Sequence, residues 1–330
     1  MEPDKPLPPP AMDRARQPLA VVAMGGHAFM GPGESGTIAA HWRHADAICG
    51  QLMTLVERDY NLVITHGNGP QVGERLLKEE LAKGSLPQMP LDVLVADTEG
   101  SLGYILQQAL LNQLRRREVR RYVVTMISQV VVDPADPAFG RPAKPIGPFL
   151  ERAEAELRRD TLGWQIVEDA GRGWRRVVPS PRPVKIIQRH MIRDATRAGH
   201  IVIACGGGGI PVMKTETGDY AGVEAVVDKD RTSSILAAQI NADLLIILTD
   251  VPKVFLNYRK PNQQALSALT LAETETYLRE GHFAAGSMQP KVEAILDFLK
   301  AGGKRGLITS PALLRRALDG EDGTHFIGRV

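Results

Sequence analysis

Beyond residue 18 the chain alternates short apolar runs with longer amphipathic stretches. Runs at residues 19–24 (LAVVAM), 61–65 (NLVIT), 121–127 (RYVVTMI), 200–204 (HIVIA), 244–249 (LLIILT) and 306–309 (GLIT) predict strands. Helical periodicity covers 41–58, 70–83, 97–116, 186–198, 231–241, 270–279 and 290–301. Continuous Val/Ile/Leu runs separated by helices predict an α/β fold, a sandwich whose mainly parallel sheet is covered on both faces. Right-handed crossovers then bring the strand C-terminal ends to one edge, where ligands collect in such sheets. Residues 133–185 break this rhythm. They are rich in Pro and Arg, carry Trp164 and Trp174, and hold only a short charged helical piece near 151–159. This stretch predicts an inserted, β-rich lid subdomain protruding over the sheet edge. Residues 1–18 are proline-rich and polar, and predict a disordered tail before a single domain spanning 19–330.

Composition narrows the class of function. With 43% hydrophobic residues among 330, the chain can bury a large core. Its aromatic content of 5% and net charge of +2 give no basis for a base-stacking nucleic-acid surface. No run approaches the roughly 20 apolar residues of a membrane span. The first residues lack the apolar core of a signal peptide. The expectation is a cytoplasmic protein with no membrane or nucleic-acid partner. Cys49 and Cys205 lie far apart in apolar surroundings and read as reduced core thiols.

Glycine-rich turns follow several of the apolar runs: Gly25-Gly26, Gly67-Asn68-Gly69 and Gly206 to Gly209, with Gly302-Gly303 before the last strand. Any one pair is explained by a tight turn. Three at the ends of parallel strands read together as a phosphate cradle, because absent side chains let backbone N–H groups approach an anion. No GxxxxGK[ST] loop occurs, since Gly303-Lys304 is followed by Arg305. The segment Gly67 to Gly73 is one residue too long for a dinucleotide fingerprint. Phosphoryl transfer needs positive charge and alignment more than covalent help. Lys229, within Asp228-Lys229-Asp230, and Lys291, just after Pro290, both open predicted helices, and Lys144 lies in the lid. Each alone is an ordinary surface lysine; their shared placement at turns on one edge makes them candidates.

The strings THGNGPQVG (65–73), QVVVDPADPAFGRPAKPIGPF (129–149), WRRVVPSP (174–181), VIACGGGGIPV (202–212), GVEAVVDKD (222–230), ADLLIILTDV (242–251) and GSMQPKVEA (286–294) resemble the carbamate kinase family, in order and over nearly the whole chain. The resemblance implies the amino acid kinase fold, a three-layer αβα sandwich with a small protruding subdomain. It implies a homodimer and the reaction ATP + carbamate ⇌ ADP + carbamoyl phosphate with Mg²⁺, run toward ATP in arginine metabolism. By motif matching, Lys229 and Lys291 neutralise the transferring phosphoryl group, Asp230 orients them, and Lys144 reaches in from the lid. Gly25, Gly26, His27, Gly67, Asn68, Gly69, Gln71, Gly207 and Gly208 fall to carbamate and phosphate oxygens. Thr249, Asp250, Val254, Phe255 and Met288 fall to the nucleotide. The phosphates hold most of the magnesium, so no protein metal ligand is expected. Met24 stands where many wider relatives carry a lysine before the first glycine pair, and Lys229 is implied to substitute.

Three positions depart from the family pattern. The first loop reads GGHA rather than GGNA, so His27 replaces a neutral amide. This leaves open tolerated drift, a different small carboxylate or carbamate-like acceptor, or a non-catalytic nucleotide-binding sensor. Thr98-Glu99-Gly100-Ser101-Leu102 stands where a serine-glutamine-glycine run is usual. Glu99 is expected as a solvated or interface carboxylate, or else as a partner of His27. Leu150 replaces an aromatic residue in the lid.

Overall fold

A computed structural model of the chain describes residues 12–25, 29, 31, 34, 36–169, 171 and 173–328. In chain order the elements are β1 (Leu19–Met24), α1 (Ile38–Glu57), β2 (Asn61–His66), α2 (Gly69–Leu81), α3 (Leu91–Arg116), β3 (Val123–Met126) and β4 (Gln129–Val132). Next come β5 (Lys144–Leu150), α4 (Arg152–Leu162), β6 (Ile166–Glu168), β7 (Trp174–Val178), β8 (Pro183–Ile186), α5 (Arg189–Arg197) and β9 (Ile201–Ala204). The rest are β10 (Ile210–Lys214), β11 (Tyr220–Gly222), α6 (Lys229–Gln239), β12 (Leu244–Leu248), β13 (Val254–Leu256) and β14 (Gln264–Leu266), then β15 (Ala268–Thr270), α7 (Leu271–Arg279), α8 (Met288–Lys300), β16 (Arg305–Thr309), α9 (Leu314–Leu318) and β17 (Thr324–Ile327).

The continuous apolar runs form the middle of an eight-stranded sheet of order β15-β17-β16-β12-β1-β2-β9-β3. From β16 to β3 neighbouring strands pair in parallel, while β17 runs antiparallel to β16 and carries β15 with it. The side-chain period of two divides β1 cleanly between two cores. Leu19, Val21 and Ala23 join Leu236 of α6 and Val292 of α8 on one face. Ala20, Val22 and Met24 join Ile48 of α1 and Leu106 of α3 on the other. A strand buried on both faces has no polar side to display, which is why its sequence shows no alternation.

The 133–185 stretch supplies a separate antiparallel sheet, β5-β7-β6, packed with α4 around Leu150, Ala155 and Trp164. It leaves the main body through a second sheet of order β11-β10-β4-β8, half of which comes from residues 210–222. The sequence reading missed that contribution, along with the reversed strands β15 and β17, because strands of three to five residues carry little pattern. Helix α3 also starts at Leu91, earlier than expected, with Leu91, Leu94 and Val95 buried. The tail expected over residues 1–18 is corrected in its last part: Met12–Arg16 form a 3-10 helix, and the Arg14 carbonyl accepts from Asn61 Nδ2 at 2.6 Å. Residues 1–11 lie outside the described residues. Cys49 and Cys205 are buried and free.

Candidate active site

Parallel pairing brings Gly25, Gly67, Cys205 and Thr249, which follow β1, β2, β9 and β12, to one edge of the sheet. Gly67 N–H donates to Met24 O at 3.0 Å, so the first two turns are joined by backbone. Asn68 precedes α2 but does not cap it; its amide donates to Thr98 Oγ1 on α3 at 2.8 Å. The first N–H groups of α2 have no intrahelical partner, and Pro70 removes one of them. Gln71, in the same first turn, is 7% exposed and has neither its amide nitrogen nor its oxygen hydrogen-bonded.

The glycine run after β9 is shaped by close neighbours. Gly207 has φ 68° and a Cβ there would lie 2.2 Å from Asn68 Nδ2. Gly208 has φ 94°, and its Cβ would meet Val227 O at 2.3 Å. Thr232 Oγ1 on α6 donates to Gly208 O at 2.9 Å. The run is thus wedged between the start of α2 and the start of α6, where only glycine fits.

Helix α6 is capped by Asp228, whose Oδ1 accepts from the N–H groups of Asp230 and Arg231 at 3.0 and 3.3 Å. Its Oδ2 accepts from Lys144 Nζ of the lid at 2.5 Å. Asp230, 3% exposed, takes Lys229 Nζ on one oxygen at 2.5 Å and Lys291 Nζ of α8 on the other at 3.0 Å. All four predicted catalytic residues therefore meet, with Asp228, around the α6 N-terminus. Three lysines face two carboxylates, which leaves one net positive charge. Burial pulls Lys229 downward and Asp230 only partly restores it, with Lys291 opposing, so its pKa lies below the ordinary lysine value. For Lys291 burial also pulls downward, but the charge and hydrogen bond of Asp230 outweigh it and its pKa is raised. Burial works against both aspartates, yet Lys144 at Asp228 and the two lysines at Asp230 keep them below the usual carboxylate range.

Gly25, Thr249 and Asp250 line a cleft of about 260 Å³ with His44, Gln51 and Pro311. Val254 and Phe255 do not line it: Val254 is buried in β13, and Phe255 rests against Tyr258 with ring centroids 5.7 Å apart. Met288 begins α8 and packs on the core. Gly26 and His27 lie outside the described residues, so nothing places His27 against Glu99. Glu99 itself requires a correction. It is buried, 1% exposed, and its two oxygens accept the N–H groups of Gly206 and Ser128, each at 3.0 Å. A helical position two turns into α3 gave no sequence signal of that burial.

Sequence reasoning also missed Arg175. Arg175 is 9% exposed; its guanidinium donates to Gly147 O at 3.1 Å and to Asp169 at 3.0 Å, and lies 3.9 Å from where a Cβ on Gly69 would stand. A lid cation thus sits beside the α2 N-terminus. Among the described residues no group of three His, Cys, Asp or Glu side chains could hold a metal ion. The carboxylates at the array are already taken by lysines and helix N–H groups, so the donor set fits a divalent cation that arrives on phosphates.

Backbone donors and lysines gathered at the strand ends of a three-layer sandwich, with no P-loop, define a phosphotransferase. The chain belongs to the amino acid kinase family, whose pattern matches residues 18–310, and within it to the carbamate kinases. It is 46% identical over 312 residues to the carbamate kinase-like protein YahI of Escherichia coli K12, covering 94% of this chain and 98% of that one. It is likewise 46% identical over 309 residues to a carbamate kinase of Trichomonas vaginalis, covering 93% and 98%. Giardia lamblia carbamate kinase bound to citric acid matches with a TM-score of 0.91 at 38% identity, over 96% of this chain and all of that one. The same enzyme bound to AMP-PNP matches with a TM-score of 0.87 at 40% identity, again over 96% and 100%.

Proposed function

We propose that this chain interconverts ATP + carbamate and ADP + carbamoyl phosphate, working toward ATP as a cytoplasmic homodimer in arginine metabolism. The observation that carries the reading is the convergence of Lys229 and Lys291 on one buried carboxylate beside the glycine turns. The net positive charge of the array meets the negative charge that spreads over the transferring phosphoryl oxygens, and low water content strengthens it there. Asp230 keeps the two ammonium groups close despite their repulsion. Lys144, released from Asp228, has the reach to meet the acceptor side from the lid. Gly25, Gly26, Gly67, Asn68, Gly69, Gly207 and Gly208 offer donors to carbamate and phosphate oxygens. The unpartnered amide of Gln71 suits carbamate, since it can donate to an oxygen and accept from the NH₂. Thr249 and Asp250, which line the cleft, serve the nucleotide side. Magnesium bound with the nucleotide supplies charge neutralisation at the phosphate oxygens, with no dedicated protein ligand.

The test is ATP formation from ADP and carbamoyl phosphate with magnesium, for the purified protein and its His27→Asn variant. Rapid ATP formation by the parent is the expected result. A parent without activity beside an active variant overturns carbamate as the native acceptor and assigns the choice to His27.

A further inference from the structure

The first turn of α6 carries Lys229 and Asp230 without an apolar anchor of its own. The helix reads KDRTSSILAAQ, and Leu236 and Ala237 of its second turn are the first to join the buried core. Thr232, Ser233 and Ser234 are nonetheless buried, the first two completely. A buried hydroxyl is costly unless it is hydrogen-bonded, so its partner says what it holds. Thr232 Oγ1 donates to Gly208 O at 2.9 Å. Ser233 Oγ lies 2.6 Å from Lys229 O and 2.6 Å from Thr65 Oγ1. Thr65, next to last in β2, is itself fully buried. A carbonyl oxygen only accepts, so Ser233 gives its one proton to Lys229 O and Thr65 donates to Ser233. The bonds therefore run in one direction, from the strand that ends at the Gly67 turn to the backbone of Lys229.

A serine that donates to the carbonyl four residues back is ordinary within a helix. The strand hydroxyl behind Ser233, and the adjacent hydroxyl on the glycine run, are not explained by helix formation. The other polar contacts of this turn lead away from the sheet: Asp228 to Lys144 of the lid, Asp230 to Lys291 of α8, and Arg231 to Glu293 of α8 at 3.5 Å.

We propose that Thr65, Ser233 and Thr232 are positioning residues that clamp the first turn of α6 to the ends of β2 and β9, and so fix Lys229 relative to the glycine turns. Apolar packing farther along α6 is non-directional and tolerates sliding. The hydroxyl bonds have defined lengths and reach two different turns, so together they fix both the height and the rotation of the helix start. Without them Asp228 still caps α6 and Asp230 still pairs its lysines, but the pair shifts as a unit away from the turns.

The proposal rests on the kinase reading for the role of Lys229, so the test has an arm without substrate. Thr65→Val, Ser233→Ala and Thr232→Val are compared with Thr196→Val on α5. Thr196 is equally buried and donates to the carbonyl four residues back, Ile192 O, at 2.6 Å, on a helix that carries no site residue. In ATP formation each of the three clamp variants is expected to lose roughly tenfold in kcat, with KM for ADP within about twofold. Thr196→Val should match them in lost melting temperature and keep its kcat. Thr65→Ser, which restores the donor, should recover most of the loss. The Thr65→Val/Ser233→Ala double variant should fall no further than its worse single, because either change breaks the same chain. In the second arm acetic anhydride labels the folded proteins, and acetylation of Lys229, whose side chain is 11% exposed, is read by peptide mass spectrometry. Labelling should rise severalfold in Thr65→Val and Ser233→Ala, and stay at the parent level in Thr196→Val. Losses of kcat no larger than that of Thr196→Val, a Thr65→Ser no better than Thr65→Val, or multiplied losses in the double variant overturn the proposal. Should Thr65→Val not fold, Ser233→Ala read against Thr196→Val decides on the same criterion. A parent inactive on ADP and carbamoyl phosphate defeats the kinase reading instead; the labelling arm then decides the clamp alone, and labelling unchanged from Thr196→Val overturns it.

Discussion

Gly73 of α2 lies directly against Gly147 of β5, so close that a methyl group on Gly73 would stand 1.9 Å from the Gly147 nitrogen. This contact seats the lid on the helix that begins at the glycine cradle. Farther along α2, Glu80 Oε1 accepts from Trp164 Nε1 at 2.7 Å and from Arg176 Nη1 at 2.5 Å. Lys144, at the start of β5, inherits its position from both contacts.

Gly73→Ala is expected to push the lid off α2, because the obstruction is backbone with no flexible end to yield. Turnover per KM should fall roughly tenfold or more, since a displacement of the order of 1 Å in a positioning element costs that much. Gly147→Ala provides the contrast. Its φ of 76° disfavours a side chain, but the nearest atom to a Cβ is 3.5 Å away, so strain of roughly 1–2 kcal/mol replaces the clash. Steady-state kinetics and melting of the two variants separate the cases: a larger kinetic loss in Gly147→Ala would contradict this account of the lid.

Lys229→Met and Lys291→Met are each expected to lower kcat by roughly 100-fold or more, with a smaller change in nucleotide affinity. Each substitution also leaves Asp230 with one cation fewer in a buried site. Retained turnover in either variant would remove that lysine from the chemistry.

The depressed pKa of Lys229 predicts an alkaline limb in kcat. As pH rises, Lys229 loses its proton before a free lysine with a pKa of 10.5 would, while Lys291 stays charged. A kcat profile for ATP formation should therefore break below 10.5. Lys229→Arg, which keeps its charge, should shift that break upward at a lower plateau.

Asp228→Asn tests the joint between the lid and α6. Asparagine caps a helix about as well as aspartate, so α6 should survive, while Lys144 loses its ion-pair partner. A change in KM for the acceptor with little change in melting temperature is expected; a large fall in melting temperature would make Asp228 chiefly structural. The same groups set the acid behaviour. Asp228 and Asp230 have folded pKa values depressed below 3.8, so their stabilisation is present above that value and is lost as pH falls through the depressed ones. In Asp228→Asn, stability should depend less on pH below about 4.

Much of the fold was legible because burial on both faces writes itself into composition. LAVVAM and LLIILT have no polar side and became neighbouring parallel strands, β1 and β12. The gathering of the glycine turns was legible for a related reason: turns at parallel strand ends need glycine and share one edge. Short-range pattern said nothing of β15 and β17, which exist because the β16 edge offers unpaired backbone groups to whichever segment returns there.

The sequence by itself determined the strand and helix order, the glycine turns and the presence of Lys144, Lys229 and Lys291, since these rest on local periodicity and residue type. Only the tertiary structure decided that the three lysines meet over Asp228 and Asp230, across 61 and 84 residues of chain. It alone put Glu99, which reads as a surface carboxylate on α3, beneath Gly206. Charge pairing and desolvation depend on distance in space and on exclusion of water, and neither is written in the spacing of residues along the chain.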